Sequence, residues 1–135
     1  MFQHQRAESP LRLNGLDSAR RFFAGCLAEA DPREEHLWVA HVDDDARCIH
    51  VSRHDGNATG ADLPIRQIVA DAARHGSTGV VLAHNHPSGD ATPSAEDRRV
   101  TRRLALVGEA MDLAILDHLV IAGTDCRSMR QMGLL

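Results

Sequence analysis

The sequence contains no lysine and no tyrosine, and aromatic residues make up only 3% of the chain. All 15 basic residues are arginine, and the formal net charge is −4 at pH 7. Exclusive use of arginine, together with abundant alanine, is typical of a GC-rich bacterial genome. An acidic chain with a single tryptophan lacks the positive field and the stacking aromatics that nucleic-acid binding uses. We therefore expect a main function other than binding DNA or RNA.

Long apolar runs and cysteine pairs are also missing. No run of about 18 apolar residues is present, so the sequence predicts no transmembrane helix and no membrane partner. Residues 1–6 lack the apolar core of a signal peptide, and we expect a cytoplasmic protein. Three cysteines, Cys26, Cys48 and Cys126, form neither a CxxC pair nor a disulfide framework. We interpret them as buried or incidental thiols of a reducing compartment.

Apolar periodicity predicts one α/β domain over residues 16–135, after a loose lead-in over residues 1–15. Helices alternate with strands, and a short turn joins the first two strands as in an antiparallel hairpin. The predicted order is helix 17–30, strands 36–42 and 47–53, a glycine-rich loop 55–60, helix 64–75, strand 78–83, helix 94–108 and strand 113–121. This pattern predicts a three-layer α/β/α sandwich with a mixed sheet.

A short segment after the last-but-one predicted strand carries two histidines, two prolines and an aspartate. His84 and His86 stand two residues apart at the strand end, so both imidazoles point to one side if the chain is extended. Pro93 and Ser94 begin the next helix. Ser94 and Asp97 have the spacing of an N-terminal capping pair, so Asp97 faces back toward the strand end.

Two neutral imidazoles and one carboxylate are a ligand set that suits Zn²⁺. Three protein ligands leave the fourth tetrahedral position for water, which is the catalytic arrangement. His84, His86 and Asp97 therefore predict a zinc site with an activated water. Such a site needs a base, and a carboxylate close to the metal but not bound to it would serve. The alternative is a pair of strand-end histidines with ordinary hydrogen bonds and an aspartate that only caps its helix.

The composite motif closely resembles the RadC family of the JAMM, or MPN, metallopeptidase-like group. The residues that carry the resemblance are HNHPSG at 84–89, PS at 93–94, Asp97 and LDHL at 116–119. The signature of the group is a distant glutamate followed by H-x-H, ten residues and an aspartate. The spacing of the two histidines and Asp97 matches it. The resemblance extends over residues 33–135.

The resemblance implies a cytidine-deaminase-like fold of the JAMM type and a zinc metalloprotease or related hydrolase. Its substrate would be a peptide, isopeptide or related amide bond. Glu35 would be the general base and Ser94 would donate a hydrogen bond to the oxyanion. Glu34 is rejected as the base because its side chain should point to the opposite face. Asp117 and His118 have two interpretations: support of the metal site or contact with substrate near it, as the family motif suggests, or ordinary hydrogen bonds at a strand end.

Two further functions stay open beside the hydrolase. One is a non-catalytic metal-binding or interaction module that keeps the same fold. The other is a protein of DNA repair that contacts DNA, because the RadC name is historically tied to repair. Arg98, Arg99, Arg102 and Arg103 form a basic stripe that would contact phosphate in that case, but we favour a solvated helix face. A base deaminase is disfavoured because no H-x-E paired with P-C-x-x-C is present.

Overall fold

A computed structural model describes residues 11–55 and 63–135. The helices and strands within these ranges are α1 Leu16–Ala28, β1 His36–Val42, β2 Cys48–Asp55, α2 Ile65–His75, β3 Gly79–Asn85, α3 Ala95–Ala110, β4 Ala114–Ala122 and β5 Asp125–Ser128. The strands form one sheet in the order β2-β1-β3-β4-β5. The β3–β4 pair is parallel and the other neighbouring pairs are antiparallel. The predicted mixed sheet is confirmed.

Helices cover both faces of the sheet. Phe23 of α1 packs with Trp38 on one face, whereas Ile68 of α2 and Leu104 of α3 pack with Val39 on the other. Neighbouring residues of β1 thus serve opposite layers, as the alternation of a strand requires. Burying one such large apolar side chain contributes about 2 kcal/mol to folding. The three-layer α/β/α sandwich is therefore confirmed.

Local signals set the helix ends. Gly76 adopts a left-handed conformation (φ 69°) and ends α2, as glycine does at helix C-termini. Ser94 caps the start of α3. The predicted and observed ends of all three helices differ by no more than two residues. None of the helices in the described ranges has the length and apolar character to cross a membrane.

The prediction of a loose lead-in over residues 1–15 does not hold for residues 11–15. Leu13 is only 3% exposed, and its backbone N–H donates to the carbonyl of Ala46 at 2.8 Å. The segment adds apolar side chains to the layer of α1. Because these side chains have neither helical nor strand periodicity, apolar periodicity did not predict an ordered segment here. Residues 1–10 lie outside the described ranges.

The last strand, β5, was not predicted. It has four residues and pairs with the end of β4 across a turn at Gly123, whose φ is 60°. Four residues are too few for an alternation pattern to emerge. The predicted loop 55–60 falls outside the described residues except for Asp55, which ends β2.

Candidate metal centre

The end of β3 sets the position of the centre. His84 shares its face of the sheet with Val80 and Leu82, toward α2 and α3. It pairs with Leu37 of the antiparallel strand β1. Glu35 lies two residues before Leu37 and therefore reaches the same face. Its Oε2 atom lies 4.0 Å from Nε2 of His84, although the two residues are distant in sequence.

Three further contacts converge beside this pair. Nε2 of His84 lies 2.9 Å from Nε2 of His86. Oδ2 of Asp97 lies 3.3 Å from Nε2 of His84 and 3.2 Å from Nε2 of His86. The ligand atoms of Glu35, His84 and His86 all lie within 4.8 Å of one another. These side chains form a group that could hold a metal ion.

The proton of His86 can be assigned from its neighbour. Nδ1 of His86 lies 2.8 Å from the backbone carbonyl of Asp90. A carbonyl only accepts hydrogen bonds, so Nδ1 carries a proton. Nε2 then either presents a lone pair to the centre or, in the doubly protonated ring, donates to Asp97. Lone pairs and a carboxylate at such short distances repel one another unless a proton or a cation lies between them. The arrangement therefore needs a proton or a cation between these atoms.

The burial and contacts of the centre shift the pKa values of three of its side chains. Burial would raise the pKa of Asp97, but hydrogen bonds from His84 and His86 outweigh burial and hold the pKa far below its usual value. The hydrogen bond with Asp97 raises the pKa of His86. Burial raises the pKa of Glu35, although His84 and His86 act in the opposite direction. A carboxyl group with a raised pKa beside an ionised one is typical of acid–base sites.

The start of α3 fixes Asp97. The hydroxyl of Ser94 accepts a hydrogen bond from the N–H of Asp97 at 2.9 Å, and Oδ2 of Asp97 accepts one from the N–H of Ser94 at 2.9 Å. The oxygen that completes this capping box is the same one that faces the two histidines. The hydroxyl of Ser94 acts as an acceptor in the cap, so its own proton remains able to donate.

His118 and Asp117 prove to have different surroundings. Nε2 of His118 lies 2.7 Å from Nδ1 of His84, and its Nδ1 lies 2.7 Å from the hydroxyl of Thr101. Asp117 instead accepts a hydrogen bond from the hydroxyl of Ser128 at 2.5 Å. Of the two interpretations, support of the centre fits His118, and the ordinary strand-end hydrogen bond fits Asp117.

Thr101 is a residue of the centre that the sequence analysis missed. It is fully buried and lies one helical turn after Asp97 on α3. Residues four apart share one face of a helix. The sequence signal for Thr101 is therefore its position four residues after Asp97, a candidate ligand.

Two other predicted features lie outside the centre. The four arginines of α3 are exposed, and Arg99 forms an ion pair with Glu96. Burial raises the pKa of Cys26 and of Cys48 to about 11. Such thiols stay protonated at neutral pH and are therefore poor nucleophiles.

Comparisons with known proteins agree with one another. The sequence model of a family described as "RadC-like JAB domain" matches residues 13–134. This match includes α1, which the resemblance over residues 33–135 left outside. The UPF0758 protein STH371 of Symbiobacterium thermophilum is 35% identical over 133 residues, which cover 94% of this chain and 55% of that protein.

Two more UPF0758 proteins are similar to the chain. The one from Flavobacterium johnsoniae is 32% identical over 136 residues, which cover 98% of this chain and 58% of that protein. The one from Chloroflexus aggregans is 36% identical over 102 residues, which cover 75% of this chain and 44% of that protein. The chain spans about half the length of the curated relatives it matches.

Proposed function

The chain belongs to the RadC-like JAB domain family, and on that premise we propose that it is a zinc-dependent hydrolase of a peptide, isopeptide or related amide bond. One observation carries the proposal. Nε2 of His84, Nε2 of His86 and Oδ2 of Asp97 converge at separations of 2.9 to 3.3 Å. The carboxylate of Glu35 stands beside them without belonging to that triangle.

Zinc fits this donor set. Tetrahedral bonds of about 2.0–2.1 Å place neighbouring ligand atoms about 3.3 Å apart, close to the separations in the triangle. Calcium and magnesium prefer six or more oxygen ligands, which two imidazoles do not provide. Three protein ligands leave the fourth position open to water or substrate. When bound, zinc lowers the pKa of a coordinated water to about 7 and polarises a carbonyl group.

The remaining side chains supply proton transfer and charge stabilisation. In this proposal the carboxylate of Glu35 takes a proton from the attacking water and delivers it to the leaving nitrogen. Its side chain is 21% exposed, so water can reach it, while burial raises its pKa toward the range in which a base works at neutral pH. The hydroxyl of Ser94 donates a hydrogen bond to the oxyanion that develops from the scissile carbonyl.

Zinc content tests the metal site. In protein purified without added metal or an affinity tag, we expect about one zinc per chain in the wild type. His86→Ala should retain little zinc. His75→Ala removes an exposed histidine outside the centre and should retain all of it. Absence of zinc from the wild type, even after zinc is supplied to the folded protein, would contradict the proposal.

Turnover tests the assignment of the base. The zinc-loaded protein is screened against a library of peptides and isopeptide-linked conjugates, and the best substrate is then given to two variants. Glu35→Gln should keep its zinc and lose activity by about 10²- to 10⁴-fold, because its amide cannot accept the proton. Glu34→Gln changes the exposed neighbour and should keep both zinc and activity. Full activity in Glu35→Gln would remove Glu35 from the mechanism.

A further inference from the structure

Asn85 stands between the two histidines in sequence but points away from the centre. The alternation of β3 places it on the face of Val81 and Ala83, which pack in the layer of α1, whereas His84 faces the other layer. Asn85 is only 2% exposed. A buried amide has to be hydrogen-bonded, so its partners indicate why the position is polar.

The partners of Asn85 are backbone groups on both sides of Glu35. Its Oδ1 accepts a hydrogen bond from the N–H of His36 at 2.8 Å. Its Nδ2 donates to the carbonyl of Glu34 at 2.9 Å, with a longer contact of 3.5 Å to the carbonyl of Pro32. The side-chain amide is thus hydrogen-bonded to the backbone immediately before and immediately after Glu35.

These hydrogen bonds continue the pairing of β1 with β3 beyond its last backbone pair. The register of β1 and β3 ends where Leu37 lies opposite His84. A carboxamide offers an acceptor and donors in one plane, as a peptide group does. The amide of Asn85 therefore extends the ladder with a side chain in place of main chain. Glu35 is held in register with the strand that carries His84.

We propose that Asn85 is a positioning residue that sets the place of the Glu35 carboxylate relative to the ligand nitrogens; this inference rests on the proposed function. The end of β3 carries both the ligand His84 and the amide that holds the backbone of Glu35, so base and ligand move as one unit. The observed separation is 4.0 Å, from Oε2 of Glu35 to Nε2 of His84. A displacement of about 1 Å in such a group costs about 100-fold in rate.

The cobalt-substituted protein provides a test that does not depend on turnover. The visible absorption spectrum of bound Co²⁺ changes when a group at the centre ionises. The pH at the midpoint of this change is measured for each variant. We expect Asn85→Ala to shift the midpoint in the same direction as Glu35→Gln, by at least about 0.5 pH units. The double variant should shift no further than Glu35→Gln alone, because both changes remove one interaction.

Two further variants sharpen the cobalt test. Asn85→Gln keeps the carboxamide and adds no charge but moves it by one methylene, so its midpoint should lie between those of the wild type and Asn85→Ala. It also provides the result if Asn85→Ala does not fold. Ser128→Ala removes a buried hydroxyl elsewhere in the sheet and should leave the midpoint unchanged. Wild-type midpoints in both Asn85 variants, or in Glu35→Gln itself, would overturn the proposal.

Amide hydrogen exchange separates failure of this inference from failure of the proposed function. Without added metal, the N–H of His36 should exchange at least about 10-fold faster in Asn85→Ala than in Ser128→Ala, because it has lost its acceptor. If Co²⁺ does not bind the wild type, the proposed function is wrong. Faster exchange of the His36 N–H in Asn85→Ala would still show that Asn85 holds the backbone beside Glu35. An unchanged exchange rate overturns the inference whether or not Co²⁺ binds.

Discussion

Both ring nitrogens of His118 are hydrogen-bonded, so that His84, His118 and Thr101 form a buried chain of three side chains. If Nε2 of His84 faces a cation, its Nδ1 must carry the proton and donate to Nε2 of His118. His118 then donates from Nδ1 to the hydroxyl of Thr101, and both bonds are 2.7 Å long. Burial holds the pKa of His118 well below its usual value, as a neutral acceptor requires. With a cation bound, His118 would thereby support the tautomer of His84 that presents Nε2 to the metal.

Substitution of His118 should weaken zinc binding although it is not a ligand. We expect about 10- to 100-fold lower zinc affinity in His118→Ala, measured by competition with a chelator of known affinity. His118→Gln should retain most of the affinity, because its amide can accept from His84 and donate to Thr101. His41→Leu removes another fully buried histidine of the sheet and should bind zinc as the wild type does. Wild-type affinity in His118→Ala would contradict the tautomer argument.

His41 is a buried histidine that should make stability depend on pH. Its Nδ1 is 2.9 Å from the hydroxyl of Ser77, whereas its Nε2 has no hydrogen-bond partner among the described residues. Burial lowers the pKa of His41 to about 4, and the positive charge of His50 acts in the same direction while Asp71 opposes it. His75 and His54 lower it further.

The sign of the pH effect follows from where the proton binds. An unfolded histidine takes up its proton near pH 6.5, whereas folded His41 does so only near pH 4. Between these values the unfolded state binds the extra proton, so the free energy of unfolding falls as pH falls, by at most about 3 kcal/mol. Urea unfolding with a chelator present, at pH values from about 7 down to about 4.5, should show a flatter dependence in His41→Leu. If the free energy of unfolding depends on pH in the same way in the wild type and in His41→Leu, His41 is not the cause of the pH dependence.

At the scale of elements, the contact between α3 and the start of β4 is made backbone to backbone. The carbonyl of Gly108 accepts a hydrogen bond from the N–H of Leu113 at 2.8 Å. A Cβ atom at Gly108 would overlap the carbonyl oxygen of Leu113 and approach a side-chain carbon of Ile115 to 3.3 Å. Gly25 in α1 is exposed, and a Cβ atom there would meet nothing within 4 Å.

The two helical glycines should therefore respond to alanine with opposite signs. Gly108→Ala should lower the free energy of unfolding by about 1–3 kcal/mol, because the overlap outweighs the better helix propensity of alanine. Gly25→Ala should raise it by about 0.5–1 kcal/mol through propensity alone. Chemical denaturation of both variants measures the difference. A stabilising Gly108→Ala would show that α3 and β4 are less closely packed than the structure indicates.

Helices, strands and pairs of side chains that are close in sequence could be predicted. Contacts that depend on the register between strands could not. The spacing of His84 and His86 and the capping pair of Ser94 and Asp97 follow from helix and strand geometry alone. The contact between Asn85 and the backbone around Glu35 depends on which residues of β1 and β3 lie opposite each other. A one-residue slip in that register would move the side chain to the other face. Short pieces such as β5 give no periodic signal at all.

At the scale of the whole molecule, the strand order brings the centre together. β3 is the middle strand, and its carboxyl end lies beside the amino end of antiparallel β1 and alongside parallel β4. Glu35 therefore arrives from the segment before β1, the histidines from the end of β3 and His118 from β4. The connection from β3 to β4 passes through α3, which contributes Asp97. Sites commonly form at the carboxyl ends of parallel strands, where such crossovers begin.

Because the proposed ligands come from β3, the following loop and α3, a bound ion should stabilise the fold as a whole. An ion that binds only the folded state adds RT ln(1 + [L]/Kd), about 2.7 kcal/mol at a zinc concentration 100 times Kd. Thermal unfolding of the wild type should shift upward by several degrees with zinc, and a chelator should reverse the shift. His86→Ala should show no shift, whereas His75→Ala should behave as the wild type. An equal shift in His86→Ala would assign the stabilisation to zinc bound elsewhere, and no shift in the wild type would mean that the folded chain does not hold the ion.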